Sequence, residues 1–193
     1  MAVRQICIWP DPVLLQKANE VKEVDASIKT MVSDMFETMY KYNGIGLAAN
    51  QIGVTKRVII IDLDPKNQSQ DDDEVHQELE SWNFTGPVAL INPEIIKSEG
   101  EIIWEEGCLS VPGISEEVKR NEHVWVSAID VNGNPLEIEA HGLFAVALQH
   151  ETDHLNGRVF VDYLSKLKRD VIRRKMKRLS EKESTNVSSK AMI

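Results

Sequence analysis

The run Gln149-His150-Glu151-Thr152-Asp153-His154 sets two imidazoles four residues apart with a carboxylate beside the first. On an α-helix, residues i and i+4 share a face one turn apart, so both rings can reach one cation while Glu151 stays near enough to act on a bound water. That is the arrangement of a hydrolytic metal site. Catalytic sites of this type use three protein ligands and keep one position for water, so a third ligand must come from elsewhere in the chain. No histidine follows His154, and Phe160 stands where the extended zincin pattern H-E-x-x-H-x-x-G-x-x-H puts its last ligand. A later carboxylate would have to be Asp162, Glu181 or Glu183, the last two in or after a basic tail. Cys108, in Glu106-Gly107-Cys108-Leu109-Ser110, is the stronger candidate. Gly107 frees the backbone for close approach, the thiolate is a soft ligand, and the Leu109 N–H falls beside it. A Cys108-His150-His154 set leaves iron, zinc, nickel and cobalt all open.

Gly44-Ile45-Gly46-Leu47-Ala48-Ala49-Asn50-Gln51 superficially satisfies the dinucleotide fingerprint G-x-G-x-x-A. That fingerprint must follow a strand and open a helix, whereas these glycines follow a helix and lead toward a strand. The better reading is a turn, with Gly44 as helix C-cap, into an edge segment whose free backbone can pair with an extended peptide while Gln51 offers an amide N–H.

The elements that must position these groups are legible from periodicity. Asp25 or Ser27 caps a helix whose apolar face reads Ile28, Met31, Met35 and Met39 and which ends at Asn43-Gly44. Arg57 to Leu63 and Val88 to Ile96 read as strands, with Pro93 pushing the end of the second toward a sheet edge. The acidic, turn-rich stretch from Asp64 to Pro87 reads as a solvated surface loop. Asn132-Gly133-Asn134 joins two alternating segments, Val124 to Val131 and Leu136 to Ala140, into a hairpin. Leu143 to Leu155 follows as a helix stopped by Asn156-Gly157, and Ser165 to about Ser184 as a basic one. The expected class is α+β: mainly antiparallel sheets packed around a central helix carrying the histidines, with a C-terminal helix. The expected organisation is one catalytic domain over residues 1–165, an appended basic helix over 166–184 and a disordered tail over 185–193.

With 193 residues and 42% apolar content, the chain suits one domain with an ample core. Its net charge of −9 argues against nonspecific nucleic-acid binding by the whole surface. From Lys166 to Lys182, however, nine Lys or Arg face Asp170 and Glu181, a local charge of +7. Two distant cysteines and no charged opening followed by an apolar run suit a reduced cytoplasm better than secretion. No segment is apolar enough to span a membrane.

The three motifs around Gly44–Gln51, Glu106–Ser110 and Gln149–His154 together resemble the signatures of the peptide deformylase family, in that family's order. Pro10-Asp11-Pro12 and Asp162-Tyr163-Leu164-Ser165 resemble it too, so the likeness spans nearly the whole chain. The resemblance implies removal of the N-formyl group from the formylmethionine of nascent polypeptides in a bacterial cytoplasm, with release of formate. It also implies one divalent metal ion, natively Fe2+, with Zn2+, Ni2+ or Co2+ as substitutes. Under it, Cys108, His150 and His154 are the ligands, Glu151 moves the proton, and Gln51 and the Leu109 N–H meet the charge on oxygen. Leu143, Val146 and Ala147 share the His150 face of the helix and, with Ile45, are expected to line the methionine cavity. Gly46 and Gly107 are expected to pair with the substrate main chain, and Glu106 to orient a ligand or bind the peptide's free end. Gln149 and Asp153 are candidate supports of the ligands, or Asp153 a salt-bridge partner of an Arg. Gly113-Ile114-Ser115 lacks the Glu-Gln-Arg run of some relatives, and the acidic insertion is longer than in compact ones. The expected partners are formyl-methionyl nascent chains and, through the basic helix, the ribosome; the expected state is a monomer. The rivals are a zincin-type endopeptidase and a structural zinc protein. The latter needs a fourth ligand, for which His123, His141 and Cys7 are available.

Overall fold

A computed structural model describes residues 2–64 and 73–190, and its elements follow from local sequence chemistry. Helix α1 (Ala26–Lys41) starts where the Asp25 carboxylate accepts from the Ile28 N–H at 3.0 Å, and it buries Ile28, Met31, Met35 and Met39. At its end Asn43, not Gly44, takes the left-handed conformation, with φ 55°. Strand β1 (Gly46–Ala48) pairs with β2 (Val58–Ile61), which pairs with β3 (Val88–Glu99); β6 (His123–Ile129) and β7 (Pro135–His141) complete a five-stranded sheet in the order β1-β2-β3-β6-β7. Every pairing is antiparallel. The expected edge position for Pro93 is corrected: β3 lies in the middle of the sheet. A register shift between Ile91 and Glu94 absorbs the proline, which has no N–H to donate. Asn92, at φ 53°, uses the same irregularity to bond both the N–H and the carbonyl of Val21 with its side chain, at 2.9 Å each.

Strands β4 (Ile102–Gly107) and β5 (Ser115–Arg120) form a separate antiparallel hairpin. Periodicity gives little sign of it, because its outer face carries Ile103 in solvent alongside charged residues. The stretch read as a solvated loop contains helix α2 (Asp73–Ser81), while residues 65–72 lie outside the described ones. The correction has a packing cause. Leu79 and Phe84 are buried, and Phe84 meets Phe144 edge-on with centroids 5.2 Å apart, so the segment anchors to the core.

Helix α3 (Gly142–Leu155) is buried almost all round, including Gln149, His150, Glu151 and His154. One core gathers α3 against the sheet through Ile59, Ile61, Leu90, Val124, Val126 and Leu148, and a second packs α1 on the sheet's other strand positions such as Val58 and Ile60. Side chains alternate across β2, so its two faces serve the two cores. Gly157 closes α3 at φ 73°, where a Cβ would come within 2.6 Å of the Leu15 carbonyl. Helix α4 (Lys166–Lys190) runs past the expected end at Ser184, since neither Gly nor Pro interrupts it. Ile172 and Met176 bury against Trp9, Phe160 and Val161, while Val171 stays exposed. Among the described residues no helix is long and apolar enough to cross a membrane.

Candidate metal centre

Four separate elements deliver the reactive groups to one place. Helix α3 presents His150 and His154 from consecutive turns, with ring centroids 5.0 Å apart. The turn after β4 presents Cys108, whose Sγ lies 3.3 Å from His154 Nε2. The donor atoms of Cys108, His150 and His154 all fall within 4.8 Å of one another. Among the described residues no fourth His, Cys or carboxylate joins that group; His123 and His141 form a different cluster with Glu139, and Cys7 joins neither.

From the 3-10 turn after β1, Gln51 sends its Nε2 toward Cys108 Sγ at 3.4 Å and Ser110 Oγ at 3.3 Å. Its Oε1 accepts from the Ala48 N–H at 2.8 Å, which fixes the amide's orientation. Glu106, on β4, accepts from Arg120 Nε at 2.6 Å and sits 2.7 Å from His150 Nδ1, so both its oxygens are engaged and the His150 Nε2 edge is turned to the cysteine. Arg120 also donates to Asp153 at 2.6 Å, and Tyr163 donates to Asp153 at 2.8 Å. Asp153 thus takes the salt bridge to an arginine. Gln149 instead clasps the Asn121 backbone, accepting at 3.0 Å and donating at 2.7 Å, and so ties α3 to the β5–β6 turn.

A pocket of about 270 Å³ opens over this cluster. Its floor is His150, Glu151, Gln51 and Cys108. One wall comes from α3 through Leu143, Val146 and Ala147; the others are Ile45 and Gly46 of the β1 edge, and Glu106, Gly107 and Leu109 at the end of β4. The sequence-selected residues are therefore gathered at one site, with His154 the wholly buried member of the three-donor cluster. Gly46 has a steric reason that sequence reading did not supply: a Cβ there would meet Glu151 Oε1 at 2.5 Å. Sequence reading also missed Trp104, which lines the pocket, and the Arg120 anchor under Glu106 and Asp153. No local motif marks either; a buried arginine flanked by charged neighbours looks like surface until the fold is known.

Burial pushes the Glu151 carboxyl up to about 7, with the Glu106 charge adding to the effect and His150 opposing it. Burial disfavours the His150 cation as well, but contacts with Cys108 and Glu106 outweigh it and hold that ring well above the ordinary histidine value. His154, buried next to His150, lies well below it and offers a free lone pair. Glu151 Oε2 is buried with no protein partner among the described residues, as expected of a carboxylate that works on a small molecule in the pocket. One thiolate and two imidazoles suit a borderline-to-soft divalent ion, so the residues fit such a metal.

Comparison with known proteins shows the family of the chain. The family profile described as polypeptide deformylase matches residues 3–170. A peptide deformylase of Thermodesulfovibrio yellowstonii is 47% identical over 177 residues, which cover 92% of this chain and 98% of the relative. One from Pseudomonas aeruginosa is 46% identical over 179 residues, 92% of this chain and 96% of the relative. The crystal structure of a Legionella pneumophila peptide deformylase superposes with a TM-score of 0.81 at 43% identity, covering 95% of this chain and 98% of that one. That of the Ehrlichia chaffeensis enzyme in complex with actinonin gives 0.82 at 42%, covering 92% and 98%. A match over most of the chain in sequence and in fold shows that this protein belongs to the polypeptide deformylase family.

Proposed function

We propose that Cys108, His150 and His154 hold one divalent ion, Fe2+ natively with Zn2+, Ni2+ or Co2+ as substitutes, and that Glu151 is the acid-base group of the reaction. The reaction is the family's: hydrolytic removal of the N-formyl group from the N-terminal formylmethionine of nascent polypeptides, releasing formate. The observation that carries the assignment of roles is the three-donor cluster beside a buried, unpartnered Glu151 oxygen on an apolar-walled pocket. When bound, the ion supplies a Lewis acid and acidifies water at neutral pH.

The chain's own residues do the rest. Glu151, with its carboxyl raised to about 7, is matched to taking a proton from water and returning it to the leaving amine. Gln51 Nε2, held by the Ala48 contact, and the Leu109 N–H are donors for the oxygen on which charge builds, each worth about 3 kcal/mol of barrier. Leu143, Val146, Ala147 and Ile45 give the methionine side chain an apolar seat, and Gly46 and Gly107 offer main-chain groups along the β1 edge and the end of β4. With both oxygens engaged, Glu106 suits the orientation of His150 rather than capture of a peptide end.

Residues 1–165 act as a single catalytic domain, with α3 as its central helix and α4 appended. The protein works as a monomer in the bacterial cytoplasm. Arg173, Arg174, Lys175, Lys177 and Arg178 are exposed on α4, whose apolar side is turned inward, which supports docking on ribosomal RNA through the basic face. The deciding test is formate release from a formyl-methionyl peptide. It is expected to be lost in Glu151→Ala while the metal stays bound; cleavage of internal peptide bonds instead would establish the endopeptidase reading.

A further inference from the structure

Away from this centre, β6 and β7 bring together His123, Glu139 and His141, whose ligand atoms lie within 4.8 Å of one another. His123 and His141 are directly opposite in the strand register, and Glu139 reaches them from the same face of β7. We propose that these three side chains form a second divalent transition-metal site, of the zinc and nickel class, that clamps the junction of β7 and α3.

The chemistry is that of two imidazoles and one carboxylate, a set that suits zinc, nickel or copper and disfavours magnesium and calcium. Glu139 Oε1 lies 2.9 Å from His123 Nε2 and 3.8 Å from His141 Nε2. The nearer approach has the length of a hydrogen bond, yet the buried His123 Nε2 lacks hydrogen-bond alignment with any partner among the described residues. Such a contact is better used by an ion between the two atoms. His123 is held by a tilted contact with the Trp125 ring and lies stacked on the His141 ring, with both centroid separations at 3.7 Å, so the two Nε2 edges now point out side by side rather than at a common point. The local field suits a cation. Glu99 pairs opposite His123 in the register, and the Lys97 ammonium is turned onto the Trp125 ring at 3.8 Å and bonded to Glu99 at 2.8 Å. A tetrahedral site at Zn–N distances of about 2.1 Å needs donor separations near 3.4 Å, so the His141 ring must turn out of the stack and Glu139 must follow it, and both are exposed enough to do so.

The site has a mechanical consequence. His141 immediately precedes α3, and its N–H donates to the Trp82 carbonyl at 3.2 Å. An ion here would tie the start of the helix that carries His150 and His154 to the adjacent strand.

The test uses the holoenzyme with its catalytic metal already loaded, titrated with zinc alone by calorimetry. The expected result is one further equivalent bound with micromolar affinity, at least tenfold weaker in Glu139→Gln and at least 100-fold weaker in His123→Ala and His141→Ala, with formate release by the loaded enzyme unchanged in all three. In the unaltered protein, zinc should shift the imidazole nitrogen resonances of His123 and His141 and raise the Tm, and magnesium should do neither. Absence of a second equivalent, its survival in the double histidine variant, unmoved resonances, or equal binding of magnesium would each overturn the proposal.

Discussion

Replacing Gly46 by alanine tests whether the position of Glu151 depends on the absence of one carbon atom. The added Cβ would lie 2.5 Å from Glu151 Oε1, 3.0 Å from its Cδ and 3.1 Å from its Cγ, against ordinary contacts that begin at 3.4 Å. Relief therefore takes a shift of about 0.9 Å in the carboxylate, and misplacing a reacting group by about 1 Å costs about 100-fold in rate. Glu151 is buried on a packed helix and cannot swing into solvent, so the shift falls on the reacting group itself. The expected outcome is a roughly 100-fold drop in kcat/KM for formate release, about 2.7 kcal/mol, carried mainly by kcat with bound metal unchanged. Gly44→Ala is the comparison: its Cβ would meet the end of the Leu109 side chain at 2.9 Å and Met39 Cγ at 3.3 Å but not Glu151, and should cost less. If Gly46→Ala keeps kcat/KM within threefold of the parent at equal metal content, the steric argument for Glu151 is refuted.

Arg120→Met should destabilise the fold by about 3–5 kcal/mol in urea unfolding, because it strands the buried Glu106 and leaves Asp153 without its cation; a loss below about 1 kcal/mol would contradict this account of the pair. Chelation should abolish formate release and lower the Tm, and anaerobic return of Fe2+ should restore both, as expected when a folded site of three donors binds the ion. Reversing Arg174, Lys177 and Arg178 to glutamate should reduce ribosome co-sedimentation and flatten its salt dependence without altering turnover of a free peptide. The Asp34 carboxyl is held below the ordinary range by hydrogen bonds from Arg4 and the Ala2 N–H. Its depressed value contributes stability that is complete above the unfolded aspartate value of about 4 and is lost as pH falls through the folded one. Asp34→Asn should therefore flatten the acid limb of Tm against pH; an unchanged limb would count against the Arg4 contact.

The residues that the fold gathers at the candidate site were legible without it, because their constraints are local. The His150–His154 spacing is a helix repeat, the paired glycines mark close backbone approach, and the apolar face of α1 repeats every three or four residues. The same locality made the β6–β7 hairpin readable from Asn132-Gly133-Asn134, while the β4–β5 hairpin stayed hidden because its exposed Ile103 and charged residues carry no clean alternation. Helix α2 was missed for a related reason: its acidic composition resembles a loop until Leu79 and Phe84 find a core to enter. Tertiary structure alone decided that Arg120 supports Glu106 under His150, that Gly46 clears room for Glu151, and that His123, Glu139 and His141 meet. Spacing along the chain determines which side chains share a face, whereas meetings between distant segments depend on how whole elements pack, and nothing in the sequence around Arg120 or Gly46 encodes that packing.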